Sequence, residues 1–323
     1  MADKAGVSIT TVSRVLNSPS QVREETRSRV LAAIDQLAFV PKAEAIARAR
    51  KAVGRIGVLT PFFTFPSFVQ RVRGMAEALR DTPYELIIYT VDSLARLRDY
   101  LALLPVSRRL DGLVITSLPV DEQAADRLLR NQLETVLIEY DHPSFICLTI
   151  DDKQGGAQAA EYLLKKGHRR CAYIGDTGLP DYTIRPEEKR LQGYQSVLNE
   201  NGVPMPDEYV KLPELSLPSL RQQVTELLDL PEPPTAIFAA TDELALRVLK
   251  VARDRGLRIP DDLAVIGFDD LDVAEYVGLT TVHQPLDRSG QTAVELLLQR
   301  LADPSAPVQH LNMQLSIQER ETV

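Results

Sequence analysis

The chain contains no apolar run near the ~18 residues that a membrane span requires, and its start lacks the basic-then-apolar layout of a secretory signal. Both absences point to the cytosol and away from any membrane partner. Cysteine is scarce: Cys147 and Cys171 show neither paired spacing nor a neighbouring histidine cluster, which argues against disulfide, zinc and redox chemistry. Both read as thiols buried in strands. The four histidines, His142, His168, His283 and His310, are scattered without metal-ligand spacing. His168, in "KKGHRR", falls at a helix end, where the helix dipole accounts for it. A GxSxG elbow, a GxxxxGK[ST] phosphate loop and a GxGxxG fingerprint are all missing. So are repeats of solenoid period and low-complexity tracts. The expectation is a protein with no catalytic residue, no metal and no cofactor.

With 323 residues and 44% hydrophobic content, the chain has material for two or more cores. Its net charge of -8 is unevenly spread. Through Lys51, nine Lys and Arg stand against five Asp and Glu, so the first segment is +4 and the remainder -12. A basic head on an acidic body is the layout expected when a small module meets phosphate and the rest does something else; a head that merely happens to be basic is the alternative.

The first fifty residues read as short helices. Ser8 is a good N-cap, with Val7 placed to staple onto Val12. Val12, Val15 and Leu16 form one apolar face, leaving Thr10, Ser13, Arg14 and Asn17 outward. The stretch "REETRSRVLAAIDQLAF" predicts a second helix with Val30, Leu31, Ile34 and Leu37 inward and Glu24 and Glu25 in its first turn. "KAEAIARARKA" is alanine-rich and basic, a helix that needs a partner to form.

From Arg55 onward, apolar runs recur: "RIGVLT", "ELIIYT", "GLVITS", "TVLIEY", "FICLTI", "CAYIGD", "AIFAAT" and "LAVIGFDD". Amphipathic stretches such as "FVQRVRGMAEALRD", "GAQAAEYLLKK" and "ELALRVLKVARDRG" separate most of them. Runs apolar on both alternations, interleaved with helices, imply parallel strands covered on both faces. The fold class expected is α/β, with two doubly wound subdomains behind a small all-α head.

In open parallel sheets, ligands bind beyond the carboxyl ends of the strands. Those ends carry Thr60, Pro61 and the rings of Phe62, Phe63, Phe65 and Phe68; Thr116 and Ser117; Glu139 and Tyr140; Asp151 and Asp152; Asp176; Thr241 and Asp242; Asp269 and Asp270. Such an acid-rich rim with rings beside it suits a polyhydroxylated ligand. Asp, Ser and Thr at these places also cap helices. Capping is the favoured reading for Asp242; Asp270, Asp152 and Ser117 are open between the two; Asp269 and Glu139 lean towards ligand contact.

The stretches "AGVSITTVSRVLN" and "TRSRVLAAIDQLAFVP" closely resemble the DNA-binding head of the lactose- and galactose-repressor (LacI/GalR) family of bacterial transcription regulators. "GAQAAEYLLKKGHRRCAYIGD", "RLQGYQSVL", "AIFAATDELALRVLKVARDRGLRIPDDLAVIGFDD" and "LTTVHQPLDRSGQTAVELLL" resemble its core motifs in their order, so the likeness covers essentially the whole chain. The resemblance implies a helix-turn-helix head over residues 1–38, a hinge helix over 39–52, and two periplasmic-binding-protein-like subdomains, 53–150 with 284–308 and 151–283 with 309–323, joined by three crossover strands. It implies a homodimer on near-palindromic operator DNA and a small-molecule effector, most often a sugar or nucleobase, in the cleft. The helix from Ser8 to Leu16 becomes the recognition helix, with Ile9, Thr10 and Arg14 towards bases or phosphates, and Ser8, Thr11, Ser13 and Asn17 beside them. For Ser13, phosphate contact and mere solvation stand open. Lys42 and Arg48 are the hinge candidates for DNA.

For the effector, the resemblance carries the family's residues onto Arg190, Asp269, Glu139 and Thr241, the last where the family has Asn. With the rim this makes the set Phe62, Phe65, Phe68, Ser117, Glu139, Asp151, Arg190, Thr241 and Asp269. Phe62 and Phe65 stand where the family commonly shows Asp and Asn, which should shift effector choice. A surface Arg190 paired with Glu187 is the competing reading. Three departures concern the head. The family's opening helix runs upstream of "AGVS", so here it looks cut, as a misassigned start would leave it. Arg23 replaces a capping Ser, and Arg48 replaces the Leu that wedges into the minor groove, which makes strong DNA kinking doubtful. Without a heptad helix after "LNMQLSIQERETV", a dimer is expected rather than a tetramer. Two rivals remain: a cytosolic sugar sensor that never touches DNA, and a glycoside hydrolase using Glu139 and Asp269.

Overall fold

The computed structural model describes residues 1–17, 21–37, 54–176, 178, 180–213 and 217–323. The chain opens with a one-turn helix, α1 (Ala2–Ala5), closed by Gly6 in the left-handed conformation (φ 64°). There a side chain would be strained and glycine is not. α2 (Ile9–Asn17) starts where expected: the Ser8 hydroxyl accepts the Thr11 amide at 3.1 Å. α3 (Glu24–Gln36) follows with Arg23 at its N-cap and no side-chain cap bond. Ala5, Val12, Val15, Val30, Ala33 and Ile34 form a small core, with Val7 and Leu31 against it. Leu37 corrects its expected inward placement. It lies one residue past the end of α3, and at 44% exposure it faces solvent.

The rest of the described chain alternates strand and helix. β1 (Gly54–Thr60), α4 (Pro66–Leu79), β2 (Tyr84–Thr90), α5 (Leu94–Ser107), β3 (Gly112–Thr116), α6 (Glu122–Arg130), β4 (Glu134–Ile138) and β5 (Ile146–Thr149) come first. Then come α7 (Asp152–Lys165), β6 (Cys171–Ile174), α8 (Pro186–Glu200), β7 (Val210–Lys211), α9 (Leu217–Leu228), β8 (Ala236–Ala239), α10 (Asp242–Asp254) and β9 (Ala264–Asp269). α11 (Asp272–Tyr276), β10 (Thr280–His283), α12 (Leu286–Ala302), β11 (His310–Asn312) and β12 (Ser316–Gln318) complete the order. β3, "GLVIT", is buried at all five positions, which is why its sequence shows no polar alternation.

Two sheets result. One has the order β11-β5-β4-β3-β1-β2, the other β12-β10-β9-β8-β6-β7. β1 pairs in parallel with both β2 and β3, β6 with both β7 and β8, and only the β10–β12 pair is antiparallel among the registered pairs. In each sheet the chain therefore reverses its direction of winding at one point, between β1 and β3 and between β6 and β8. That is the place where doubly wound sheets hold ligands.

By contact density the chain divides into two units. Unit 1 comprises Met1–Phe63, Arg73–Leu148 and Gly290–His310; unit 2 comprises Thr64–Val72, Thr149–Ser289 and Leu311–Val323. Within unit 1 the head joins the body: Leu103 and Val106 of α5 belong to the head's core cluster, Arg27 pairs with Asp99 at 3.0 Å, and Arg127 pairs with Asp35. Both cysteines are buried in strands, as expected. His168 departs from the dipole reading. Its Nδ1 lies 3.1 Å from the Thr235 hydroxyl, and burial lowers its pKa, the opposite of what a helix C-terminus would do.

Candidate functional site

The outward face of α2 is open. Ser8, Ile9, Thr10, Ser13 and Arg14 are exposed, with Ile9 at 80%, while Val12 and Val15 are buried beneath them. An apolar side chain that far into water, on a helix whose other face builds the core, marks a surface available to a partner. Thr11 is half-buried and its hydroxyl lies 2.9 Å from that of Ser8, so both hydroxyls serve the cap as well as the face. Asn17 closes α2. Lys42 and Arg48, with the whole 39–52 segment, lie outside the described residues.

At the strand ends the backbone itself is unusual. Seven non-glycine residues among those described have φ in the left-handed region, and five of them sit where strands end: Phe62 (45°), Ser117 (54°), Glu139 (63°), Asp269 (120°) and Asp270 (58°). Each such residue costs about 1–3 kcal/mol and persists only where its surroundings hold it. They cluster at the ends of β1, β3, β4 and β9, and backbone strain of this kind is found at ligand sites as well as in tightly held turns.

In unit 1, the Thr60 hydroxyl turns back to the Pro61 carbonyl (2.9 Å) and Phe62 follows, half-buried. Ser117 is anchored by its amide to the Ile138 carbonyl (2.9 Å), and its hydroxyl donates to the Glu139 carboxylate. Ser117 therefore caps no helix; the side chain that caps α6 is Asp121.

Unit 2 holds the more elaborate arrangement. α7 and α8 cross at two glycines: a Cβ at Gly156 would lie 1.9 Å from the Arg190 carbonyl oxygen, and one at Gly193 would lie 1.8 Å from that of Lys153. Only glycine permits this approach, and it brings Arg190 of α8 beside Asp152 in the first turn of α7. Arg190 Nε donates to Asp152 Oδ1 at 2.9 Å, Nη1 donates to the Ala240 carbonyl at 2.7 Å, and the guanidinium carbon lies 3.5 Å from the centre of the Phe268 ring. Arg190 is buried, which overturns its reading as a surface residue paired with Glu187. Burial lowers its pKa, but the charges of Asp152, Asp269 and Glu187 outweigh that and leave it raised.

Asp269 is buried at the end of β9, where it accepts from Gln284 Nε2 at 2.6 Å. Asp151 is the N-cap of α7, accepting the Gln154 amide at 2.9 Å, and Thr241 is the N-cap of α10, accepting the Leu244 amide at 3.3 Å. Thr241 thus takes the cap expected of Asp242. Asp242 instead is fully buried, accepts from the Leu271 amide (2.7 Å) and the Thr281 hydroxyl (2.6 Å), and ties three segments together. Desolvation, then the neighbouring Asp269, push its carboxyl well above the usual range. Asp270 is likewise structural: burial pushes it up, but bonds from His283 and Arg320 outweigh burial and leave its pKa lowered.

Phe65 and Phe68 stand at the start of α4, Phe65 half-buried and Phe68 buried with the Arg71 guanidinium 5.7 Å from its ring centre. Arg71 Nε donates to the Ser289 hydroxyl at 3.1 Å. Four members of the unit 2 constellation were absent from the candidates. Phe268 was legible, as the residue before Asp269 in "GFDD"; Gln284 and Glu187 carried no local signal, and the Ala240 carbonyl is backbone that no side-chain pattern announces. Glu187 is half-buried, its Oε2 has no hydrogen-bond partner among the described residues, and burial raises its pKa to about 7. Asp176, at the end of β6, is also raised by burial.

Residues 1–42 match the family "Bacterial regulatory proteins, lacI family", and residues 160–323 match the "Periplasmic binding protein-like domain". The chain is 32% identical over 309 residues to the HTH-type transcriptional repressor PurR of Photobacterium profundum, covering 94% of this chain and 91% of that protein. It is 33% identical over 304 residues to catabolite control protein A of Priestia megaterium, covering 92% and 90%. Among solved structures, a LacI family regulator from Enterococcus faecium with bound ribose is 29% identical with a TM-score of 0.72, covering 83% of this chain and 98% of that one. The complex of the regulator CelR with cellobiose is 29% identical with a TM-score of 0.71, covering 100% and 98%. With the head, the two sheets and these matches spanning nearly its full length, the chain belongs to the LacI family of bacterial regulatory proteins.

Proposed function

We propose that this protein is a cytoplasmic, effector-responsive transcription regulator that binds near-palindromic operator DNA as a homodimer and takes an uncharged sugar at the strand ends of its two units. In this reading residues 1–38 are the DNA-binding head, 39–52 the hinge, 53–150 with 284–308 one subdomain, and 151–283 with 309–323 the other. DNA contact falls to Ser8, Ile9, Thr10, Thr11, Ser13, Arg14 and Asn17, with Lys42 and Arg48 adding phosphate or minor-groove attraction. Effector contact falls to Phe62, Phe65, Phe68, Ser117, Glu139, Asp151, Arg190, Thr241 and Asp269.

The observation that carries the reading is the buried guanidinium of Arg190, held by Asp152 and the Ala240 carbonyl and backed by the Phe268 ring. A guanidinium presents five N–H donors in a rigid fork, suited to paired acceptors such as vicinal hydroxyls. The charge around it refines the ligand. Asp152 and Asp269 flank Arg190, with Glu187, whose carboxyl burial raises towards the protonated form, also in electrostatic reach. One cation between two carboxylates disfavours a further anion, so sugar acids and sugar phosphates fit poorly while a neutral sugar fits well. The relatives crystallised with ribose and cellobiose support the same class. Tyr276, 87% exposed on α11 beside the exposed Val273, offers an apolar patch of the kind a subunit interface covers.

A thermal-shift screen of neutral sugars against uronates and sugar phosphates tests the effector. A true ligand at 100 times its dissociation constant adds ~2.7 kcal/mol, and Arg190→Ala should abolish the shift. A sugar acid as the strongest hit would refute the uncharged reading. Binding to a selected palindromic duplex, followed by anisotropy with and without the effector, tests the coupling, which must be reciprocal.

A further inference from the structure

At the edge of the unit 1 sheet, three side chains far apart in sequence come together. Asp141 lies in the β4–β5 loop, Cys147 in β5, and His310 opens β11, the strand next to β5. The Cys147 amide donates to the Gln309 carbonyl at 2.9 Å, which sets His310 alongside it. His310 Nδ1 lies 2.7 Å from Asp141 Oδ1, and one ligand atom from each of the three residues falls within 4.8 Å of the other two. The sulfur is buried, whereas the Asp141 and His310 side chains are 71% and 43% exposed, so the cluster is walled on the protein side and open to water on the other. The sulfur receives the His142 amide at 3.3 Å, a bond that would steady a metal-bound thiolate, and as a thiol it lies 3.3 and 3.4 Å from the Phe145 and His142 carbonyl oxygens, contacts it gives up with its proton.

The geometry points to a site for a divalent transition metal of the zinc type, with Asp141, Cys147 and His310 as its ligands. One thiolate, one imidazole and one carboxylate form a mixed sulfur, nitrogen and oxygen set that suits zinc or cobalt and does not suit magnesium or calcium. With bonds of about 2.1 Å to N and O and about 2.3 Å to S, a tetrahedral centre needs ligand separations of about 3.3–3.6 Å. The 2.7 Å His310–Asp141 contact opens slightly, and the widest separation in the cluster, at most 4.8 Å, closes by little more than about 1 Å. Both ligands that must adjust are exposed, so rotation of their side chains accomplishes it. Binding exchanges the thiol proton for the metal, the proton leaving to solvent, and water completes the fourth position on the open side. Cys147 and His310 lie at the ends of two unit 1 segments, which finish at Leu148 and His310, so the metal clips together two places where the chain leaves that unit.

The test is a Co²⁺ titration of the full chain, reduced and stripped with chelator. The expected result is one cobalt per chain, a near-ultraviolet sulfur-to-cobalt charge-transfer band with visible bands of tetrahedral intensity, and displacement of both by Zn²⁺. Cys147→Ser should remove the charge-transfer band, whereas Cys171→Ser, at the buried thiol of unit 2, should keep it. His310→Gln and Asp141→Asn, at exposed side chains, should each weaken binding by about tenfold or more. A wild-type protein without the charge-transfer band overturns the proposal, as does a band indifferent to His310→Gln. If Cys147→Ser fails to fold by circular dichroism, the two exposed substitutions decide.

Discussion

Gly193→Ala is a one-carbon change whose consequences can be worked from distances. The added Cβ would sit 1.8 Å from the Lys153 carbonyl oxygen, whereas a relaxed C···O contact is about 3.3 Å. α7 and α8 must therefore part locally by about 1.5 Å. The obstructing Lys153 carbonyl and the Ala157 amide nitrogen beside it are backbone, so no rotamer change relieves the clash, and overpacking of this kind costs about 1–3 kcal/mol. Alanine returns up to about 1 kcal/mol through helix propensity, leaving a net loss of about 1–2 kcal/mol in unit 2. Arg190 lies one turn from Gly193 on the same helix. The same displacement would stretch its 2.9 Å bond to Asp152 beyond hydrogen-bonding range. Urea unfolding should show the stability loss, and the effector-induced thermal shift should shrink with it. A variant within about 0.5 kcal/mol of wild type, with its effector response intact, would refute the claim that this glycine crossing positions the site.

Glu187, raised by burial from 4.5 to about 7, holds a proton in the folded chain that the unfolded chain has lost, so stability should fall as pH rises from 4.5 through about 7, by at most about 3 kcal/mol. Glu187→Gln should flatten that slope in denaturation curves at pH 5 and 8; parallel curves for the two proteins would dismiss it. Because Arg23 makes no cap bond, Arg23→Ser should stabilise α3 by about 1 kcal/mol, read as slower amide exchange in the head. No slowing would mean that another donor or water already serves that helix end. Arg14→Ala should flatten the log–log salt dependence of operator binding by about 2 per homodimer, one phosphate contact per head. An unchanged slope would take Arg14 off the phosphates.

Eight strands were legible because each is a run of apolar residues, buried at most positions in all but the half-buried β2. β7, β11 and β12 were not, being two or three residues long and too short to show a period, and β10, as long as β5, β6 and β8, reads "TTVH" with a single aliphatic residue. At the site, residue type was legible and employment was not. Ser, Thr and Asp at strand ends all read as caps or ligands, yet Thr241 caps where Asp242 was expected to, and Asp242 is a buried tie from α10 to the start of α11 and to β10 instead. What separates them is which oxygen meets a free amide, a matter of tertiary placement. Leu37 shows the same limit: its spacing from Val30 is correct for one face, but the helix ends before it arrives. The Asp141–His310 contact spans 169 positions, and no spacing rule reaches that far.

The two sheets share one strand order, and each has its own reversal of winding. Phe62, Ser117 and Glu139 hang from the first, and Arg190 and Asp269 from the second, so their supports can drift separately across a lineage. A descendant could exchange the rings and hydroxyls of one sheet and leave the glycine-buttressed arginine of the other untouched. Change at one set of strand ends then asks nothing of the other.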